Sequence, residues 1–241
     1  MVMEASNIAF YKFVPISDPQ ELCEKISKGL KNLGIKGTLL IAPEGINGML
    51  AGTKKSIEGW MQDLKSDSRF SDILVKASYS KKIPFRNLKV KVKEEVLTLG
   101  MPEIVPFKEN IPYIEPTVLK KALDRGEKLI LIDIRNDFEV NFGTFKGAIN
   151  PRTKSFSEFP EFAKKLDLER SARIVTFCTG GIRCEKGAIV LRRAGFENVS
   201  QLEGGILGYF SANNGAPHFL GKCFVFDERE LLDGSLKPER Q

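Results

Sequence analysis

Histidine is almost absent, with His218 the only one in 241 residues. A mononuclear iron centre of the two-histidine, one-carboxylate kind cannot be assembled from one imidazole, so no such triad forms within a subunit. His218 itself, between a loop and an apolar stretch, reads as structural. Cysteine is scarce too. The four, Cys23, Cys178, Cys184 and Cys223, include no Cys-x2-Cys pair, which argues against a disulfide framework or a structural zinc site and fits a reducing compartment. No Gly-x-Gly-x-x-Gly fingerprint occurs, so a tightly held flavin or nicotinamide is not indicated; neither a metal nor a resident cofactor is expected. No apolar run approaches the roughly 20 residues that span a bilayer. Residues Met1 to Asn7 also lack the basic-then-apolar pattern of a secretory leader. A soluble cytoplasmic protein is expected, with no membrane and no stable protein partner.

What is present suffices for ordinary cores, since 42% of residues are hydrophobic. The formal charge of +6 is unevenly placed: residues 1–99 hold 16 Lys/Arg against 11 Asp/Glu, and the remainder 21 against 20. Lys76, Lys81, Lys82, Arg86, Lys89, Lys91 and Lys93 follow one another without an intervening acid. Leu88, Val90 and Val92 alternate with the last three lysines, so a strand here has one apolar and one cationic face. Such a face either protects a sheet edge from aggregation or contacts the phosphates of a nucleic acid.

Along residues 1–99, strand and helix patterns alternate. Ile8 to Ile16 reads as a strand, and Asp18-Pro19 supplies an N-cap and first-turn proline for a helix with Leu22, Ile26, Leu30 and Leu33 inward. Strands at 38–42 and 49–51 flank Pro43-Glu44-Gly45-Ile46-Asn47-Gly48. A second helix carries Ile57, Trp60, Met61 and Leu64, and strands follow at 73–78 and 88–99. This β-α-β-β-α-β order predicts a basic α+β ferredoxin-like domain over 1–99. Four prolines between 100 and 116 mark a linker. Beyond it, helices near 116–124, 157–168, 184–194 and 206–213 alternate with strands near 129–134, 173–178 and 199–203. That rhythm predicts a parallel α/β sheet with helices on both faces over 117–217. The apolar tail, 218–241, is expected to pack back on the body.

The stretch Arg173-Ile174-Val175-Thr176-Phe177-Cys178-Thr179-Gly180-Gly181-Ile182-Arg183-Cys184 puts a cysteine where a strand ends and a glycine-bearing loop opens into a helix. Amides of the loop and helix start, with Arg183, favour a thiolate at Cys178. Thr179, Gly180, Gly181, Ile182 and Cys184 complete an anion cradle. A cysteine-dependent phosphatase would have Cys-x5-Arg, whereas here Arg183 comes one residue early and Cys184 takes that position. The loop resembles the active loop of a rhodanese domain, whose cysteine carries a persulfide. Leu129 to Arg135 with Asp137-Phe138-Glu139 and Phe145-Lys146-Gly147-Ala148-Ile149-Asn150-Pro151 resembles the opening rhodanese signature, and Leu202-Glu203-Gly204-Gly205-Ile206 the closing one. Thr144-Phe145 stands where a histidine is often found. Asp133, Arg135 and Glu139 read as internal polar pairs bracing the sheet.

Three blocks go further. Gly37-Thr38-Leu39-Leu40-Ile41-Ala42-Pro43-Glu44-Gly45-Ile46-Asn47-Gly48, the loop Cys178 to Lys186, and Gly221-Lys222-Cys223-Phe224-Val225-Phe226-Asp227-Glu228-Arg229 together resemble the tRNA uridine hydroxylase family over nearly the whole chain. The resemblance implies a tRNA partner and molecular oxygen as co-substrate. It also implies 5-hydroxyuridine at the wobble position as product and Cys178 as the essential residue. It makes Glu44 and Asn47 substrate-facing candidates, although a turn bonding its own backbone explains them equally. Longer members continue into a cysteine-rich extension that this sequence does not include. Catalysis is assigned to Cys178 with Arg183, and RNA contact to Lys81, Lys82, Arg86, Lys89, Lys91 and Lys93. Cys184 either resolves an oxidised Cys178 or packs the helix start. A simple rhodanese-type sulfurtransferase and a non-enzymatic tRNA-binding or redox-sensing module remain open; a phosphatase is the weakest option.

Overall fold

The computed structural model describes residues 5–238. Residues 1–4 of the stretch read for a leader, and 239–241 of the expected tail, lie outside them. The chain divides into two compact units, Met1–Thr98 and Leu99–Gln241.

In the first unit come β1 (Ala5–Phe13), α1 (Pro19–Asn32), β2 (Lys36–Ala42), β3 (Gly45–Thr53), α2 (Lys54–Ser66), β4 (Val75–Ser80) and β5 (Leu88–Val92). This is the expected sandwich, with both strands expected after the second helix present. The sheet order is β4-β1-β3-β2-β5, antiparallel except for β5, which runs parallel to β2. Both helices lie on one sheet face, where Ile8, Phe10, Leu39 and Leu50 meet Leu22, Ile26, Ile57 and Trp60 in one core. The Trp60 ring packs 5.6 Å from that of Phe10, a core position as expected.

Four local expectations change. Asp18 does not cap α1 with its side chain, because its carboxylate is taken by Arg69 at 2.5 Å; Pro19 still opens the helix. Leu33 falls just past the helix end and is exposed. The six residues Pro43 to Gly48 are mostly strand, since pairing runs to Ala42 opposite Gly45 and leaves Pro43 and Glu44 as the turn. The last strand stops at Val92 rather than continuing to Leu99. Past it, the Val96 N–H donates to Glu44 Oε1 at 2.8 Å instead of joining the ladder.

The second unit contains β6 (Tyr113–Ile114), α3 (Pro116–Asp124), β7 (Ile130–Asp133), α4 (Asp137–Val140), β8 (Gly143–Phe145), α5 (Phe159–Lys165), β9 (Ile174–Phe177), α6 (Ile182–Arg193), β10 (Val199–Leu202), α7 (Gly205–Ala212), β11 (Phe219–Gly221), β12 (Cys223–Phe224) and β13 (Leu231–Leu232). Strands β6-β10-β9-β7 form a parallel sheet. Its strands are nearly continuous apolar runs because helices cover both faces. Leu131, Val175, Phe177 and Leu202 pack with Leu119 of α3 and with Ile206, Tyr209 and Phe210 of α7, while α5 and α6 pair with each other.

The proline-rich segment 100–116 is structured within this unit. Ile104, Ile111 and Ile114 are buried, Arg193 bonds Glu103 O and Glu109, and β6 joins the sheet. The tail returns as β11 against β8, with Phe219, Cys223 and Val225 buried. Phe145, where a histidine is often found, is fully buried at the centre of an aromatic cluster, 4.9 Å from Phe177, 4.8 Å from Tyr209 and 5.3 Å from Phe219. Its neighbour Thr144 donates a hydrogen bond to Asp133 at 2.7 Å.

Candidate active site

Cys178 follows β9 directly, and α6 begins four residues later. Between them the chain reverses tightly, with Gly181 in the left-handed region at φ 99°, so that amides converge on the sulfur. The Gly181 N–H donates to Cys178 Sγ at 3.1 Å. The outer side of the loop is clamped by the start of α7: the N–H groups of Ile206 and Leu207 donate to Cys178 O and Thr179 O at 2.9 and 3.1 Å. Gly205 makes that approach possible, since a Cβ there would lie 2.4 Å from Cys178 O. The closing signature Gly204-Gly205-Ile206 is thus a brace for the active loop.

Electrostatics then decide the protonation state. Burial alone opposes ionisation of Cys178, which is 1% exposed. The hydrogen bond from Cys184, the charge of Arg183 and the amides of Arg183 and Gly181 outweigh it and lower the thiol to about 6. Cys184 moves the opposite way: its own burial and the neighbouring Cys178 sulfur raise it well above the ordinary thiol value. At neutral pH the pair is therefore one thiolate, on Cys178, and one thiol donor, on Cys184.

Arg183 acts on the sulfur through space. Its Nη1 and Nη2 donate to Glu139 Oε2 and Oε1 at 2.6 and 2.7 Å, a bidentate pair buried on α4 and α6. Glu139 also accepts from the Asn136 N–H at 3.1 Å. Arg135 and Asp133 make a second sealed pair, with Nε···Oδ1 2.9 Å and Nη2···Oδ2 2.6 Å, and Arg135 bonds Gly143 O as well. Internal polar pairing was expected for all three residues, but the partner of Glu139 is Arg183, 44 positions away.

Comparison with known proteins covers both units. Residues 5–96 match the UPF0176 acylphosphatase like domain, and 115–212 match the rhodanese-like domain. The tRNA uridine(34) hydroxylase of Bordetella parapertussis is 46% identical over 234 residues, spanning 97% of this chain and 98% of that protein. The tRNA uridine(34) hydroxylase of Cupriavidus necator is 45% identical over 243 residues, spanning 98% of this chain and 86% of that protein. The chain belongs to the tRNA uridine(34) hydroxylase family. Among solved structures, the rhodanese-like domain of the Anabaena sp Alr3790 protein is 28% identical, covering 46% of this chain and 80% of that one with a TM-score of 0.39.

The remaining candidates of this family member fall into two groups. Lys81, Lys82, Arg86, Lys89, Lys91 and Lys93 are all exposed, and all belong to the first unit. On β5, Leu88 and Val90 pack against the core while Lys89 and Lys91 face out, as the alternation predicts. Glu44 and Asn47 hold a backbone segment some 50 positions away: Glu44 accepts from the Val96 N–H, and Asn47 Nδ2 donates to Val96 O at 3.5 Å. His218 bonds Asp124 through Nε2 at 2.7 Å, which suits the structural reading.

One neighbour of the active loop escaped sequence reasoning. Cys223 is fully buried against Thr179, whose hydroxyl finds no hydrogen bond of ordinary geometry there. Burial pushes the Cys223 thiol up to about 12, the Arg135 charge offsetting only part, so it stays protonated. Its signal was the Gly-Lys-Cys-Phe-Val-Phe-Asp-Glu-Arg block, whose contact with the loop depends on the return of the tail beside β8.

Proposed function

We propose that this chain hydroxylates the wobble uridine, position 34, of tRNA to 5-hydroxyuridine, with molecular oxygen as co-substrate and the Cys178 thiolate as nucleophile. The observation that carries this reading is the cradle around the Cys178 sulfur. A sulfur cradled by an amide, its thiol lowered to about 6 by Cys184, Arg183 and the loop amides, sits in a chain 46% identical over nearly its full length to a tRNA uridine(34) hydroxylase.

Addition of the Cys178 sulfur to C6 of uracil moves electron density onto C5, the carbon that then bonds oxygen. Loss of the sulfur and of the C5 proton restores the ring. One oxygen atom ends on C5 and the other leaves as water, so each turnover consumes two electrons and two protons from a reductant. In the free enzyme Cys184 stabilises the thiolate by donation. When sulfur bonds carbon, that hydrogen bond weakens, and on expulsion of the sulfur it forms again. Arg183, held by Glu139, keeps a fixed positive charge beside the leaving sulfur. No resident cofactor is invoked, and a tRNA substrate places the protein in the cytoplasm.

The cationic strand β5 supports tRNA as partner, because Lys89 and Lys91, with Lys93 just past its end, present exposed positive charge to a phosphate backbone. A rhodanese-type sulfurtransferase would use the same cradle for a Cys178 persulfide. It predicts thiocyanate from thiosulfate and cyanide without any need for RNA. The deciding experiment is mass spectrometry of tRNA nucleosides from cells lacking the endogenous activity, complemented with this chain or with Cys178→Ala. Restoration of 5-hydroxyuridine by the unaltered chain alone is expected; hydroxylation by Cys178→Ala would overturn the mechanism.

A further inference from the structure

The helices of the first unit cover one face of its sheet, and the strand register determines what lies on the other. Ala9 of β1 pairs with Met49, Met49 with Thr38, and Thr38 with Lys89, while Lys76 of β4 pairs with Ala9 from the far side. Paired residues point to the same side. One row therefore runs Lys76, Ala9, Met49, Thr38, Lys89 across all five strands. The adjacent row runs Tyr11, Asn47, Leu40, Lys91. Neither row contains an acid, and the five-strand row spans roughly 19 Å at the usual strand spacing.

Composition and geometry of these rows are unusual for a protected edge. Tyr11 and Phe13 stand two residues apart on β1, an interior strand, so both rings lie on this face, 6.2 Å apart in an edge-to-face contact. The Lys76 ammonium sits over the Tyr11 ring, 5.8 Å from its centre. Tyr11, Met49 and Leu40 are half-buried and Lys89 and Lys91 exposed, although Ile8, Phe10, Leu39, Ile41 and Leu50 on the helix side are buried. The lysine alternation on β5 looked purely backbone-directed in sequence because the aromatics are some 80 positions away. Strand pairing puts them on the same surface.

We propose that this sheet face binds unpaired ribonucleotides, with Tyr11 as a base-stacking ring, Met49 and Leu40 as the apolar floor, and Lys76, Lys89 and Lys91 as phosphate contacts at either end. Flat apolar strands with a central aromatic and flanking cations suit splayed single-stranded bases. A duplex, whose bases are stacked on one another, offers only its backbone to such a floor. The inference rests on the reading of tRNA as substrate and deepens it by naming unpaired nucleotides as what the first unit recognises.

The test uses the full chain and a single-stranded oligoribonucleotide of anticodon-loop length carrying 2-aminopurine, with whole tRNA and a duplex of the same sequence alongside. The single strand should quench 2-aminopurine fluorescence on binding, and ultraviolet cross-linking should map to Tyr11. Tyr11→Leu, which keeps apolar bulk, should abolish quenching and weaken binding by about tenfold or more. Lys76→Glu should weaken binding and flatten its salt dependence. Full quenching and affinity in Tyr11→Leu, with cross-links elsewhere, overturns the platform and leaves the tRNA reading intact. If Tyr11→Leu fails to fold, the cross-link map of the unaltered protein decides. Absence of binding to both single strand and tRNA overturns both proposals.

Discussion

In the second unit the Glu139–Arg183 and Asp133–Arg135 pairs are sealed from solvent, with side-chain exposures of 9% or less. In the first, Arg69 and its two acids are a quarter or more exposed, and the lysines of β5 stand at the surface. The same kinds of residue serve opposite ends. A sealed ion pair holds a fixed field at one sulfur, and it must be complete because an unmatched buried charge is costly. An exposed cation contributes little to folding and remains available to a polyanion. On the proposed function, burial separates residues that shape a reacting group from residues that attract its substrate.

The strongest way to break that contrast is to remove one sealed partner. Glu139→Ala leaves Arg183 buried without its carboxylate and the Asn136 N–H without its acceptor, and should lower stability by about 3–5 kcal/mol. Urea unfolding followed by circular dichroism measures it, with Glu139→Gln as the shape-preserving control. A loss below about 1 kcal/mol would mean that the pair is not sealed in solution.

Next in size is charge reversal of the exposed set. Lys89→Glu, Lys91→Glu and Lys93→Glu together should leave stability within about 0.5 kcal/mol per site while weakening tRNA affinity by about a hundredfold. The slope of log affinity against log salt should fall by roughly three. Filter binding at several salt concentrations reads both. Unchanged affinity would relegate this face to edge protection and solubility.

Both halves of the contrast were unequally visible in the sequence. The Cys178 loop announced itself because its causes are local: a strand, a glycine turn and a helix start within a dozen residues. The β5 lysines were legible for the same reason, since alternation is a short-range signal. Glu139 could not be matched to Arg183, nor Cys223 to Thr179, because those contacts arise only when α4 meets α6 and the tail returns along β8. Strands β8 and β11, three residues each, are too short to carry a period. Likewise Gly204-Gly205 was recognisable as a motif, but its work as a clamp on Cys178 O is a matter of distance. Asp18, read as a cap, lost that role to Arg69, a competitor 51 positions away.

A subtler test concerns how the thiolate is held. Cys178 is lowered to about 6 against its burial, with the Cys184 hydrogen bond the leading favourable cause. Since the thiolate is the reactive form, activity should rise with pH through about 6 and level off above 7. Cys184→Ala removes the donor, so the rise should move to higher pH by about one unit. Thiolate absorbance near 240 nm, taken as the difference from Cys178→Ala at each pH, gives the midpoint directly. A midpoint unmoved by Cys184→Ala would assign the stabilisation to the amides and Arg183 alone.

The smallest effect is expected where an ion pair has good geometry and little burial. Arg69 donates to Asp67 through Nε at 3.1 Å and Nη2 at 2.7 Å, reaches Asp18 through Nη1 at 2.5 Å, and stacks over Phe70 at 5.4 Å. Its side chain makes more hydrogen bonds than the two described for Arg183. Its side chain is nevertheless 26% exposed, against 9% for Arg183, and Asp18 is 35% exposed. Water can therefore solvate Asp18 and Asp67 once the guanidinium is gone, and Arg69→Ala should cost about 1 kcal/mol or less. Measured beside Glu139→Ala under the same denaturant conditions, a similar loss for both would show that hydrogen-bond geometry, not burial, sets the cost of losing a partner.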